Sequence, residues 1–229
     1  MQTVLITGAD RGVGFALCQC FLKGGWKVFA GQFMPRWKEL EELKKEYSEK
    51  LSLIPLDVSQ KESIVAAVEL VKKEISCLDM LVNCAGIAIG SDPEQIKSMY
   101  RVNVFGPMCM VEQFLPLMQN GLKRLCFVSS EAGSVSVAHR AEVNAYGMSK
   151  TSLNMVVRMM FNDLRGEGYT FRLYHPGWVR SYMQGDVKST MGKYEPEETA
   201  EVAYQSFTEN RKCEDVLMMT DVRNEMWPF

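Results

Sequence analysis

Short aliphatic and β-branched runs recur along the chain, separated by longer stretches in which apolar residues return every third or fourth position. The first pattern predicts buried strands and the second amphipathic helices. Seven strands are expected: Thr3–Thr7, Lys27–Gly31, Leu51–Leu56, Leu78–Val82, Leu125–Ser129, Thr170–Tyr174 and Val216–Thr220. Hydrophobic strands alternating with helices need cover on both sides. That predicts an α/β fold, a single doubly wound Rossmann-type domain over residues 1–229 with a central seven-stranded parallel sheet and helices on both faces. No Pro/Gly/Ser-rich linker, low-complexity tract or internal repeat breaks the alternation. Right-handed crossovers then put a ligand crevice outside the carboxyl ends of the strands, where strand order reverses.

Composition narrows the ligand. The 229 residues carry a net charge of −2, and the 24% that are charged mix both signs. No basic stripe suits nucleic acid and no polybasic segment suits a membrane surface, so a small neutral or anionic molecule is the expected partner. The stretch "MQTVLITGADRG" shows no charged leader, and no apolar run reaches the roughly 18 residues of a membrane span, so a soluble, cytoplasmic protein is expected. Seven cysteines without a C-x-x-C pair read as reduced core residues. His139 and His175 lack the neighbours of a zinc site, and no metal is expected.

The first strand runs into "GADRGVG" and then into the helical pattern "FALCQCFLKGG". Gly8, Gly12 and Gly14 allow a sharp turn, close approach of backbone to a pyrophosphate, and tight packing of helix on strand. With Asp10, Arg11 and Val13 they form the candidate phosphate cradle, since a helix N-terminus offers free amides to an anion. An ordinary strand-to-helix turn is the plainer alternative. The second strand lacks the acidic residue that would bond a ribose 2′-hydroxyl; Gln32 stands near that position, with Arg11 before the loop's second glycine and Arg36 just beyond. Arginines can fork onto a 2′-phosphate, which favours NADP(H) while leaving NAD(H) open.

Tyr146 and Lys150, in "NAYGMSK", lie four positions apart at the head of an apolar helical pattern and so share one face. A strand ending in Ser129 and Ser130 precedes them.

The spacing Thr-Gly-x3-Gly-x-Gly, the "NCAG" segment and this Ser, Tyr and Lys set together resemble the short-chain dehydrogenase/reductase family over nearly the whole chain. "HPGWVR" and the "DVRNEMWPF" tail look most like its carbonyl-reductase-like branch, with the sniffer and C-factor proteins. The resemblance implies that Asp57 and Val58 grip the adenine and that Asn83, Ala85 and Gly86 lie beside the cofactor ribose. It assigns Pro176, Gly177, Val179 and Ser181 to the turn under the nicotinamide. It gives catalytic roles to Asn103, Ser130, Tyr146 and Lys150, with Asn103 ordering a water that links Lys150 to solvent. The serine-to-tyrosine interval of sixteen is about three longer than the common family spacing, which leaves Ser129 or Ser134 as alternatives and suggests an inserted loop at "VAHRAEV".

The expected chemistry is hydride transfer between nicotinamide and a carbonyl or secondary alcohol. Tyr146 acts as general acid/base, its pKa lowered by the neighbouring ammonium, and Ser130 stabilises the growing charge on oxygen. A short segment from Ser181 to Tyr194 reads as a lid, with Trp178, Tyr182, Met183 and Met191 as an apolar lining. Glu131, His139, Arg140 and Glu142 face either substrate or solvent. Excess apolar residues on two helices, among them Met108, Met155 and Met159, suggest a homodimer. Two alternatives stand beside this enzyme: a non-catalytic NADPH-binding regulator or signalling protein, and an epimerase or dehydratase of the extended branch.

Overall fold

The computed structural model describes residues 1–139, 145–183 and 185–229. Seven strands pair in parallel: β1 (Thr3–Ile6), β2 (Lys27–Gln32), β3 (Leu51–Pro55), β4 (Met80–Asn83), β5 (Arg124–Val128), β6 (Thr170–His175) and β7 (Met219–Asp221). An eighth, β8 (Met226–Trp227), returns antiparallel on β7, so the sheet order is β3-β2-β1-β4-β5-β6-β7-β8. The expected seven-stranded sheet therefore gains one strand. β8 is two residues long and carries no alternating pattern; a turn creates it, in which Asp221 accepts the amides of Arg223 and Glu225 at 2.8 and 3.1 Å and Asn224 takes φ 59°. β4 begins at Met80 rather than Leu78, because Asp79 turns its carboxylate onto the amides of Thr3 and Leu122 at 2.9 and 3.1 Å.

Period-2 alternation splits each central strand between two cores. Val4, Ile6, Met80, Val82, Cys126 and Val128 join one cluster with residues of α1 (Gly12–Lys23), α2 (Glu39–Glu46) and α7 (Pro196–Thr208). Leu5, Leu81, Leu125 and Phe127 join the other, with α3 (Lys61–Lys72), α5 (Gly106–Met118) and α6 (Ala145–Leu164). The helix α4 (Pro93–Tyr100) starts with a capping box in which Asp92 accepts the amides of Glu94 and Gln95. The last-turn carbonyls of α7 are taken up by two buried arginines: Arg124 reaches Phe207 O at 2.9 Å and Arg172 reaches Ser206 O at 3.1 Å.

β1 sits between β2 and β4, so the chain winds outward in both directions from this point and opens a crevice at the carboxyl ends of β1 and β4. Thr7 fastens the two ends, its hydroxyl oxygen accepting the amides of Cys84 and Ala85 at 3.0 Å each. Among the described residues no helix is long and apolar enough to cross a membrane.

Candidate active site

The turn after β1 has no room for a side chain at Gly8 or Gly14. A Cβ on Gly14 would lie 2.1 Å from the Gly8 carbonyl oxygen, and one on Gly8, whose φ is +64°, would lie 2.7 Å from Ala85 Cα. Gly12 holds φ +59°. No side chain caps α1 and no acidic residue occupies its first turn, so its leading amides face the crevice end without a carboxylate of their own. Val13 packs against the core. Asp10 is buried and fully engaged: its two oxygens accept the amides of Phe33 and Met34 at 3.0 and 2.7 Å, pinning the segment after β2.

Two guanidinium groups meet beside that segment. Arg11 lies against the rings of Trp37 and Tyr182, 4.8 and 5.3 Å from their centroids, and donates to Tyr182 O at 3.0 Å. Arg11 and Arg36 both pair with one oxygen of Asp186, at 3.3 and 2.6 Å. The Nε2 of Gln32, at the end of β2, is buried with no partner among the described residues.

Asp57 is used locally: its carboxylate accepts Ser59 N and its amide donates to Ser63 Oγ, both at 2.9 Å. Val58 is buried against Gly106, where a Cβ would come within 2.9 Å of the Val58 carbonyl oxygen. Asn83 ends β4 at 4% exposure with neither Oδ1 nor Nδ2 bonded among the described residues. A buried amide in that state demands a ligand or water. Beyond it, Gly86 faces the catalytic side chains: a Cβ there would lie 3.4 Å from Asn103 Oδ1, 3.6 Å from Lys150 Nζ and 4.0 Å from Met183 Cε.

The four expected catalytic residues come from three elements at this edge. Asn103 lies in a π-helical turn, Arg101–Phe105, between α4 and α5. Its amide exchanges bonds with the Ile87 backbone, both at 2.9 Å, and donates to Ser149 Oγ at 3.0 Å. Tyr146 and Lys150 occupy the first turns of α6, with Nζ 5.7 Å from the centroid of the phenol ring. Lys150 is 3% exposed and donates to Val128 O at 2.9 Å. Burial pulls its pKa down from 10.5 to about 8, with partial opposition from Cys84. Ser130 follows β5 and donates to Glu131 Oε2 at 2.7 Å while accepting Ala132 N at 3.2 Å. The alternatives are committed elsewhere: Ser129 donates to Asn154 Oδ1 at 2.6 Å, and Ser134 to Pro228 O at 2.5 Å.

The turn after β6 is held by contacts the sequence did not announce. His175 Nδ1 accepts two amides, Glu131 N at 3.2 Å and Gly177 N at 3.3 Å, and so ties the serine loop to the Pro176-Gly177 turn. An imidazole can accept there only when that nitrogen is unprotonated. Burial lowers the His175 pKa, against the pull of Glu131 and Asp221, and Trp227 of β8 packs on the ring at 5.1 Å. Proximity to "HPG" was the available signal for this histidine. Pro176 O accepts Thr199 Oγ1 at 2.9 Å, Gly177 takes φ +75°, and Val179 bridges Tyr194. Ser181 O accepts Ser189 N at 2.9 Å. Of the expected apolar lining, Tyr182 packs on Trp37, whereas Trp178, Met183 and Met191 are exposed. Glu131, read as substrate- or solvent-facing, is turned to Ser130, and His139 is exposed. Arg140 and Glu142 lie outside the described residues. Cys213 is exposed, contrary to the expectation of core cysteines, while Cys18 and Cys126 are buried. Among the described residues no His/Cys/Asp/Glu group is arranged to hold a metal.

A glycine turn at the switch point of a doubly wound sheet defines the class of dinucleotide-binding proteins. The short chain dehydrogenase family profile matches residues 2–192. An uncharacterised oxidoreductase of Schizosaccharomyces pombe is 31% identical over 225 residues, covering 94% of this chain and 88% of the relative. The carbonyl reductase of Pseudomonas aeruginosa PAO1 in complex with NADP superposes with a TM-score of 0.84 at 26% identity over 100% of both chains. The carbonyl reductase Sniffer of D. melanogaster shares the fold, with a TM-score of 0.87 at 21% identity over 100% of both chains. The chain belongs to the short-chain dehydrogenase family, as an oxidoreductase of the carbonyl-reductase-like branch.

Proposed function

We propose that the protein is an NADP(H)-dependent oxidoreductase that transfers a hydride between the nicotinamide and a carbonyl or secondary alcohol of a small apolar substrate, with Tyr146 as general acid/base. The observation that carries this reading is the buried Lys150 ammonium beside the Tyr146 ring at the carboxyl edge of the sheet. The residues present fit the cofactor. The turn, close-packed at Gly8 and Gly14 and with Gly12 at positive φ, suits a pyrophosphate together with the uncapped start of α1; Asn83, without a partner among the described residues, suits a ribose hydroxyl, and the Arg11 and Arg36 pair suits a 2′-phosphate. The NADP of the Pseudomonas relative points the same way.

When bound, the cofactor supplies the hydride. Tyr146 holds the proton destined for the substrate oxygen, and the Lys150 cation favours the phenolate left behind. Ser130 supplies the second hydrogen bond to that oxygen once its hydroxyl turns from Glu131. Asn103, locked to Ile87 and Ser149, holds the π-helical turn beside Lys150, where an ordered water would return the proton.

The test is NADPH consumption against a panel of aldehydes and ketones. Tyr146→Phe should lower turnover by roughly 10²–10⁴-fold with NADPH binding retained. Binding without turnover in the wild type would instead support the regulator.

The second proposal is a homodimer through α5 and α6. Met108, Met155 and Met159 are exposed on these helices, and a second copy is the occupant that would cover them. Light scattering should give twice the monomer's 26.0 kDa; particles of monomer mass at micromolar concentration would remove it.

A further inference from the structure

We propose that Asp186 is an internal competitor for the 2′-phosphate of the cofactor, and that its displacement couples cofactor seating to release of Tyr182 and Met183 from the crevice. The inference rests on the NADP(H) reading above. Its starting point is that one carboxylate oxygen of Asp186 receives both guanidinium groups of the Arg11 and Arg36 pair, at 3.3 and 2.6 Å.

Among the described residues at the end of β2, neither Asp10 nor the residue at the usual acidic position does this. Both oxygens of Asp10 are spent on the amides of Phe33 and Met34, and the position of the usual acidic residue is held by Gln32. Asp186 comes from far along the chain, on a segment whose flanking Gly185 and Gly192 adopt φ +155° and +147°, a region that L side chains rarely enter. The contact is extended by Tyr182, whose carbonyl accepts Arg11 and whose ring packs at 4.9 Å from Trp37. The segment is thus fastened over the start of α1 through Arg11 and through Asp186.

A carboxylate offers one negative charge, and here a single oxygen serves both arginines. A 2′-phosphate brings close to two charges and three acceptor oxygens, enough to give each guanidinium its own bond. Asp186 is 57% exposed and Arg36 63%, so the Arg36 pair is screened and weak; Arg11, at 18%, is more sheltered, but its contact with Asp186 is the longer one at 3.3 Å. The same segment carries Met183, whose Cε approaches the Gly86 face beside Lys150. Freeing Asp186 therefore loosens a segment that touches both the phosphate end and the reacting end of the crevice. NADH has no 2′-phosphate and leaves the latch in place. Asp186 is then a determinant of cofactor discrimination as well as a coupling element.

The experiment compares wild type with Asp186→Asn by tryptophan-fluorescence titration with NADPH, NADH and adenosine 2′-monophosphate at low salt. Trp37, packed on Arg11, is the reporter. NADPH and adenosine 2′-monophosphate should bind roughly three- to tenfold more tightly to the variant, the size expected for losing two ion pairs made to one largely exposed carboxylate, and the gain should shrink as salt is raised. NADH affinity should be nearly unchanged. Equal gains for NADH and NADPH would overturn the inference, as would unchanged or weaker NADPH binding, which would make Asp186 a support of the fork. If wild type and variant bind neither nucleotide, the cofactor reading itself falls, an outcome distinct from the others.

Discussion

Lys150→Met offers a test in which function and stability should move in opposite directions. The wild-type ammonium is 3% exposed and, among the described residues, donates to one acceptor, Val128 O at 2.9 Å. The fall of its pKa from 10.5 to about 8 corresponds to about 3 kcal/mol of folding free energy, at about 1.4 kcal/mol for each tenfold change in proton affinity. Below about pH 8 both folded and unfolded chains hold the proton and the whole cost stands. Between about 8 and 10.5 the unfolded chain keeps a proton that the folded chain has released, so the wild type gains stability as pH rises through that window. Methionine has similar reach and no charge, but leaves Val128 O without its bond, a loss of about 1 kcal/mol. The variant should therefore be inactive yet about 2 kcal/mol more stable at neutral pH, and its advantage should shrink as pH approaches 10.5. Urea unfolding at about pH 7 and about pH 10 measures both quantities. A variant less stable than wild type at neutral pH, or a difference that ignores pH, would refute the reasoning.

Two further predictions concern residues around the crevice. His175→Asn replaces Nδ1 with an amide oxygen that accepts the Glu131 and Gly177 amides without titrating. Because burial lowers the His175 pKa, the unfolded chain takes up that proton first as pH falls below 6.5, and wild-type stability should decline there. Urea midpoints should show a shallower acid slope in the variant, and parallel slopes would remove the bridging role. Glu214→Ala strips the carboxylate that pairs with Arg172 at 2.6 and 2.7 Å, leaving a fully buried cation without its counter-ion. It should cost about 3 kcal/mol in urea unfolding, and a cost below about 1 kcal/mol would contradict the pair's importance.

What local pattern determines was legible in the chain. Strands buried on both faces read as apolar runs, and the Gly8-to-Gly14 turn and the Tyr146 and Lys150 spacing are each contained in about seven residues. β8 was not legible, because a two-residue strand exists only through pairing with β7 and the Asp221 turn. Arg11 and Arg36 were visible as cations near β2, but Asp186 lies 175 and 150 positions away from them, and no periodicity links such positions. His175 was read only as a poor metal ligand, since its role depends on two backbone amides brought together by β5 and β6. Ser130 was found by motif, whereas the commitment of its proton to Glu131 is a matter of side-chain direction.

The central claim is that a hydride passes from a bound nicotinamide to a carbonyl carbon beside Tyr146. Its most direct test uses NADPH deuterated at C4, on each face in turn, with an aldehyde or ketone the enzyme turns over. One of the two faces should deliver deuterium to the carbinol carbon of the product, with slowed single turnover. Product alcohol free of deuterium from both labelled cofactors would contradict the account.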